Sequence, residues 1–212
     1  LNTSGPSLHK RGYRVQQVMA PLKETMAAAL IMLSYWKPDR VLLDPCCGSG
    51  TIAIEAALIA KNIAPGLMRH FEKWDFIDKE LWKKERKEAR LAIKQDFQPK
   101  IYGSDINANA VKMSMENANN AGVGECIKFA QIPFNKLKLP CNYGVCISNP
   151  PYAERMGNLN DVERLYRDMG KLFNHNKTWS TYFITSHEGF EKLYGRRADK
   201  KRKLFNGNVK TD

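Results

Sequence analysis

The residues of this chain best suited to chemistry sit at the ends of short apolar runs. Asn149-Pro150-Pro151-Tyr152 follows one such run, Val145-Cys146-Ile147-Ser148. Two consecutive prolines stop a strand and stiffen the turn after it. Asn149 and the Pro150 carbonyl are thereby held together as a paired acceptor. Such a pair suits an exocyclic –NH2 group, whose two hydrogens are bonded while its nitrogen is aimed at an electrophile. Tyr152 offers an aromatic face to the base carrying that amine. The alternative is an ordinary proline turn, but four specified residues at a strand end are a rarer coincidence than a Gly-x-Gly pair.

A second constellation follows the run Val41-Leu42-Leu43, which ends in Asp44 and breaks into Pro45-Cys46-Cys47-Gly48-Ser49-Gly50. Gly48 and Gly50 can take positive φ and bring a ligand close to bare backbone, while the N–H groups opening the next helix point into the same crevice. Asp44, at the carboxyl end of the run, suits an ammonium group. A P-loop would need lysine after the second glycine, where Thr51 stands. A dinucleotide fingerprint would need a third glycine, where Ala53 stands. A tight turn with no ligand is the remaining alternative. Asp105 ends another short run, Ile101-Tyr102-Gly103-Ser104, and a carboxylate there can accept both hydroxyls of a ribose; the competing reading is a helix cap. At the end of a third run an adenine amino group would be met either by Gln131, the polar candidate there, or by backbone.

The elements that must hold these residues alternate along the chain. Strands are expected over 41–44, 100–105, 127–132, 143–148 and 179–185, and helices over 51–60, 81–94, from Asn107 to Ala118, over 162–173 and over 190–194. A further helix opens at Ala20-Pro21-Leu22-Lys23-Glu24 and shows an apolar face through Met26, Leu30, Ile31 and Leu33. Asn206-Gly207, between strand-like arms over 201–210, signals a hairpin. The pattern predicts an α/β fold: a Rossmann-like, doubly wound, mostly parallel sheet with a C-terminal antiparallel hairpin and helices on both faces. Residues 1–18 read as a basic arm or linker and residues 19–212 as the α/β domain.

At 212 residues, 43% of them hydrophobic, the chain accommodates one large domain. Its net charge of +12 points to a polyanionic partner. Five cysteines, with no Cys-x-x-Cys pair and no zinc-like histidine spacing, indicate a reduced cytoplasmic protein without a metal site. No stretch approaches the roughly 20 apolar residues of a membrane span. His9-Lys10-Arg11-Gly12-Tyr13-Arg14 interleaves basic residues with an aromatic, which suits phosphate contact and base stacking; a solvated edge strand is the alternative. Helix 81–94 has a basic outer face, for which simple solvation is the default and a nucleic-acid contact the other reading.

On these motifs the chain resembles the class I S-adenosylmethionine-dependent methyltransferases, and more narrowly the bacterial 23S rRNA guanine-N2 methyltransferases, the group of the RlmL amino-terminal half and its YpsC-like relatives. The resemblance rests on Asn2-Thr3-Ser4-Gly5 with Leu8-His9-Lys10-Arg11-Gly12-Tyr13-Arg14, on Ala20-Pro21-Leu22-Lys23-Glu24, and on the Asp44–Thr51 turn. It also rests on Asn117-Ala118 with Ala121-Gly122-Val123, and on Asn149-Pro150-Pro151-Tyr152 with Glu154-Arg155. Ala153 stands where relatives have glycine, and Cys46 where an aromatic is usual.

The resemblance implies S-adenosylmethionine as cofactor, met by Asp44, Cys46, Gly48, Ser49 and Gly50 on the first strand turn. Asp105, Ile106, Gln131 and Asn149 are its expected contacts on the other strands. Asn149, Pro150, Pro151 and Tyr152 are the expected catalytic residues, and His9, Lys10, Arg11, Tyr13 and Arg14 the expected RNA contacts. The implied substrate is large-subunit rRNA. An RNA-binding THUMP domain is expected upstream, which would account for a chain starting at Leu1. Two other functions stay open: adenine-N6 methylation of DNA or RNA, because the same acceptors serve either amine, and a non-catalytic RNA-binding or ribosome-assembly module. Pro45-Cys46 also resembles the nucleophile of cytosine-C5 methyltransferases, although it lies on the cofactor side.

Overall fold

The computed structural model describes residues 7–14, 22–67, 78–151, 159–206 and 209–211. Five strands form one sheet: β1 (Leu42–Asp44), β2 (Ile101–Asp105), β3 (Ile127–Gln131), β4 (Gly144–Ser148) and β5 (Trp179–Phe183). Their order is β3-β2-β1-β4-β5 and every pairing is parallel. Parallel neighbours need crossovers, and helices supply them. Between β1 and β2 run α2 (Thr51–Ala60) and α3 (Lys79–Leu91), between β2 and β3 runs α4 (Ala108–Asn120), and between β4 and β5 runs α5 (Leu159–His175). The chain builds outward from β1 to β3 and then returns to lay β4 on the other side of β1. That reversal opens a crevice at the carboxyl ends of β1 and β4.

Strand alternation divides the core in two. Leu42, Ile101, Val145 and Ile147 face α1 (Glu24–Leu33), α2 and α4, where Ile31, Ile54 and Ala118 complete the packing. Val41, Leu43 and Cys146 face the opposite way, onto Val162, Tyr166, Met169 and Phe173 of α5 and Tyr194 of α6 (Phe190–Tyr194). The four α5 residues are spaced 4, 3 and 4 apart, which is one helical face. With both faces of β1 covered, all three of its residues are buried, as its unbroken apolar run requires.

Two expectations change. The hairpin exists as β6 (Leu204–Asn206) and β7 (Val209–Thr211), but these described strands pair only with each other. Leu204 is anchored by side-chain packing on the α1–α2 core rather than by a ladder to β5. The first helix begins at Glu24, with Lys23 as its cap, and Ala20 and Pro21 lie outside the described residues.

Candidate functional site

Asp44 ends β1 at 1% exposure. Its Oδ1 accepts from the Ser148 hydroxyl at 2.7 Å and from the Cys46 N–H at 3.2 Å. Burial pushes this carboxyl up to about 7, and the nearby charge of Asp105 pushes the same way, against the lowering effect of the two hydrogen bonds. A carboxylate so short of solvation gains strongly from a cation brought beside it.

The glycine turn is tied at both ends. The Cys47 N–H donates to the Ser104 carbonyl and the Gly50 N–H to the Cys47 carbonyl, at 2.9 and 2.8 Å. Gly48 has φ 51° and Gly50, the N-cap of α2, has φ 81°. A Cβ on Gly50 would stand 2.9 Å from Ser114 Cβ and 3.1 Å from Phe129 Cζ, so both conformation and space require glycine. A Cβ on Gly48 would meet nothing within 4 Å; there the turn offers open backbone. Asn117, buried on α4, donates to the Ser49 carbonyl at 3.0 Å and fixes the turn from below.

Asp105 joins β2 to this turn. Its Oδ2 accepts from the Gly48 N–H and its Oδ1 from the Asn107 N–H, both at 2.9 Å. The cap of α4 is Asn107, which accepts from the Asn109 and Ala110 N–H groups. The helix-cap reading of Asp105 therefore gives way, and its carboxylate stands beside the glycine turn. Gln131 ends β3 opposite Asp105 in register. Its Nε2 donates to the Ile106 carbonyl at 3.1 Å, while the Ile106 side chain is exposed.

At the end of β4, Ser148 is fully buried, Pro150 is buried, and Asn149 and Pro151 are half-buried. The Pro151 carbonyl accepts from the Tyr166 hydroxyl at 2.9 Å, and that hydroxyl lies 3.3 Å from Thr185 Oγ1. Tyr166 is fully buried on α5. Helix α5 and the segment after β5 thus brace the Pro150-Pro151 segment through one carbonyl. Tyr152 and Ala153 lie outside the described residues.

Of the arm residues expected to contact nucleic acid, Arg11, Tyr13 and Arg14 are engaged within the fold. Residues 7–14 form turns and irregular backbone rather than a strand. Tyr13 is 5% exposed and its hydroxyl donates to Glu55 Oε1 at 3.1 Å. Arg11 donates to both Glu55 oxygens at 3.4 and 3.2 Å. Arg14 donates to Thr51 Oγ1 at 2.9 Å and to the Leu22 carbonyl at 3.0 Å, with Glu24 Oε1 at 3.6 Å. The cause is Glu55, a carboxylate inside the otherwise apolar helix α2. Burial raises its carboxyl and Arg11 opposes the rise. A buried charge demands partners, and the arm supplies them. The Tyr13 ring is consequently withheld from any base, whereas Lys10 is exposed and His9 half-exposed.

Cys46 packs against the α5-side core, and burial pushes its thiol well above the ordinary value. A thiol so raised stays protonated at neutral pH, which disfavours the nucleophile reading. Among the described residues no group of three or more His, Cys, Asp or Glu could hold a metal ion, and no helix is long and apolar enough to cross a membrane.

Ser148, Tyr166 and Glu55 were not singled out in the sequence. Glu55 had a legible signal, a lone carboxylate among Ile and Ala in a helix. Ser148 had a weaker one, a hydroxyl closing an apolar strand just before Asn149. Tyr166 had none, because a tyrosine at helical spacing reads as core.

The comparisons with known proteins agree with this geometry. YpsC of Bacillus subtilis (strain 168), named as a proposed RNA methyltransferase, is 52% identical over 214 residues, covering 100% of this chain and 56% of that protein. The ribosomal RNA large subunit methyltransferase K/L of Shewanella baltica (strain OS195) is 42% identical over 216 residues, covering 98% of this chain and 30% of that protein. This chain thus spans between about a third and about half of these relatives' lengths. The crystal structure of SMU.472 complexed with SAH superposes with a TM-score of 0.93 at 46% identity, covering 99% of this chain and 55% of that one. Residues 11–212 match the family model UPF0020, described as an RMKL-like methyltransferase domain, and the chain belongs to that family.

Proposed function

We propose that the chain is an S-adenosylmethionine-dependent RNA methyltransferase that modifies the exocyclic N2 amine of a guanine in 23S rRNA. The observation that carries this reading is the meeting of Asp105, the glycine turn, Asp44 and Asn149-Pro150 at the ends of the adjacent strands β2, β1 and β4. The SAH in SMU.472 supports the cofactor, and the names of the two relatives support RNA, and rRNA in particular. The residues fit the cofactor: Gly48 leaves its side of the turn open, Asp44 is a desolvated carboxylate, and each Asp105 oxygen holds one hydrogen bond here and has room for another.

When bound, S-adenosylmethionine supplies a methyl group already activated by its sulfonium. Asp44, oriented by Ser148, takes the amino-acid ammonium, and Asp105 takes the ribose hydroxyls. Asn149 and the Pro150 carbonyl accept from the two amine hydrogens of the target base. That pairing favours the pyramidal nitrogen that attacks, an effect felt in the transition state. It also holds the nitrogen in line, which is the larger part of catalysis for a transfer of this type. The base must leave its stack to reach the strand ends. The proton lost from nitrogen leaves after methylation. The same acceptors serve an adenine N6 amine. We further propose that the protein works in the cytoplasm and that an RNA-binding THUMP domain delivers the rRNA.

The test supplies S-adenosylmethionine with a labelled methyl group and undermodified 23S rRNA to the chain and to Asn149→Ala. Label in N2-methylguanosine, abolished by the substitution, is the expected result. Label in N6-methyladenine would transfer the reading to adenine, cofactor binding without label in any nucleoside would mean that the THUMP domain is needed to deliver the rRNA, and failure to bind S-adenosylmethionine would favour a non-catalytic RNA-binding module.

A further inference from the structure

Helix α3 has no place in the core. A single helix suffices to join β1 to β2, and α2 already does so; α3 is an addition in which no residue is fully buried. A 13-residue helix is marginal on its own in water, so what holds it is local. Trp82, Arg86 and Ala89 of the helix, and Ile93 just past its end, are partly buried. Its C-terminal end is clamped to the end of α2: Asn62 donates to the Ala92 carbonyl at 3.0 Å, the Lys94 N–H to the Lys61 carbonyl at 2.9 Å, and the Lys61 ammonium to the Gln95 carbonyl. The chain thus ties down the C-terminal end of a helix that adds little to its core.

The charges on α3 are sorted. Lys79, Lys83, Lys87 and Arg90 are all exposed, and at 3.6 residues per turn they fall within about 80° of arc along about 16 Å of helix. Glu80 borders this stripe, and Glu85 and Glu88 lie on the far side. Lys83 pairs with Glu80 at 2.6 Å, both side chains being exposed, and Lys84 pairs with Glu88 at 3.9 Å outside the stripe. Exposed pairs of this kind are weak and exchange readily for a better anion. With phosphates every 3.4 Å along a duplex strand, the stripe runs beside about five of them.

We propose that the Lys79-Lys83-Lys87-Arg90 face of α3 is a docking surface for the sugar-phosphate backbone of the RNA substrate. It holds the RNA by charge, without reading its sequence, while the strand ends act on the base. The proposal rests on the reading of the chain as an RNA methyltransferase, and it replaces the arm residues Arg11, Tyr13 and Arg14, which are engaged with Glu55, Thr51 and Glu24, as the main RNA contact.

The experiment measures RNA affinity of the chain against salt by fluorescence anisotropy, for the native sequence and two four-fold variants. One is K79Q/K83Q/K87Q/R90Q. The other, K37Q/K112Q/K138Q/K177Q, removes equal charge from four scattered exposed lysines. Thermal melts verify folding, and methyl transfer is measured in parallel. The stripe variant should lower the slope of log K against log salt by about 3, since each phosphate contact contributes 0.7–0.9, and the scattered variant by less than 1. Equal losses in the two variants, or an unchanged slope in the first, would overturn the docking surface while methyl transfer by the native chain leaves the enzymatic reading standing. Binding of the native chain to anionic lipid vesicles but not to RNA, with no transfer, would overturn both.

Discussion

The carboxyl of Asp44 gives the sharpest prediction, because its charge is opposed by burial and favoured by the ligand proposed for it. Burial raises it from 3.8 to about 7. The folded-state value lies above the unfolded one. Asp44 therefore favours the unliganded fold most below pH ~4, and that contribution is lost as pH climbs through about 7. An ammonium beside the carboxylate reverses the balance, so binding of S-adenosylhomocysteine requires Asp44 to ionise. Affinity should rise up to tenfold per pH unit from 5.5 to 7, level off, and fall only at alkaline pH as the ligand's own free amino-acid amine deprotonates. Calorimetry in buffers of differing ionisation enthalpy should register release of nearly one proton per ligand at pH 6 and almost none from Asp44 at pH 8. Asp44→Asn should weaken binding at pH 7.5 by roughly 10- to 100-fold, the worth of a hydrogen bond to a charged group, and should erase the acid limb while keeping the alkaline one. A flat profile between pH 5.5 and 7, or an acid limb surviving in the variant, would refute the assignment of Asp44 to the ammonium.

Two substitutions test the supporting structure. Gly50→Ala combines a left-handed backbone with a 2.9 Å approach to Ser114 Cβ, for a loss of about 2–5 kcal/mol; Gly48→Ala, with open space around its Cβ, should cost only the backbone part, about 1–2 kcal/mol, and chemical denaturation distinguishes them. Tyr13→Phe removes a donor from the buried Glu55 carboxylate and should cost about 2 kcal/mol, lowering the melting temperature by roughly 4–8 °C for a domain of this size, with RNA affinity unchanged; a loss of RNA affinity in a protein of native stability would restore the arm as an RNA contact.

Much of the fold was legible because its signals are local. Apolar runs ending in Asp44 and Ser148 marked strands covered on both faces, the short run ending in Asp105 marked the strand between them and β3, and Gly50 leading into Thr51 marked the start of α2. The hairpin's turn was equally local, whereas its separation from the main sheet depends on where Leu204 finds its core, which no short window contains. The same limit governed Tyr166, whose hydroxyl meets a carbonyl 15 residues back in sequence.

The arm shows why residue type alone leaves two readings of a basic segment open. Lysine and arginine beside tyrosine match a nucleic-acid contact and a buried ion network equally well, because both need cations and a hydroxyl or ring. What separates them is the partner, and the partner was Glu55, 44 residues from Arg11. An isolated carboxylate in an apolar helix is costly unless paired, so Glu55 already required a cation from elsewhere in the chain. Helix α3 presents the opposite case: its stripe carries four cations, and its acidic residues lie beside or behind them rather than beneath. Buried acids draw basic residues inward, and the basic residues left without such acids form the surface that faces a polyanion.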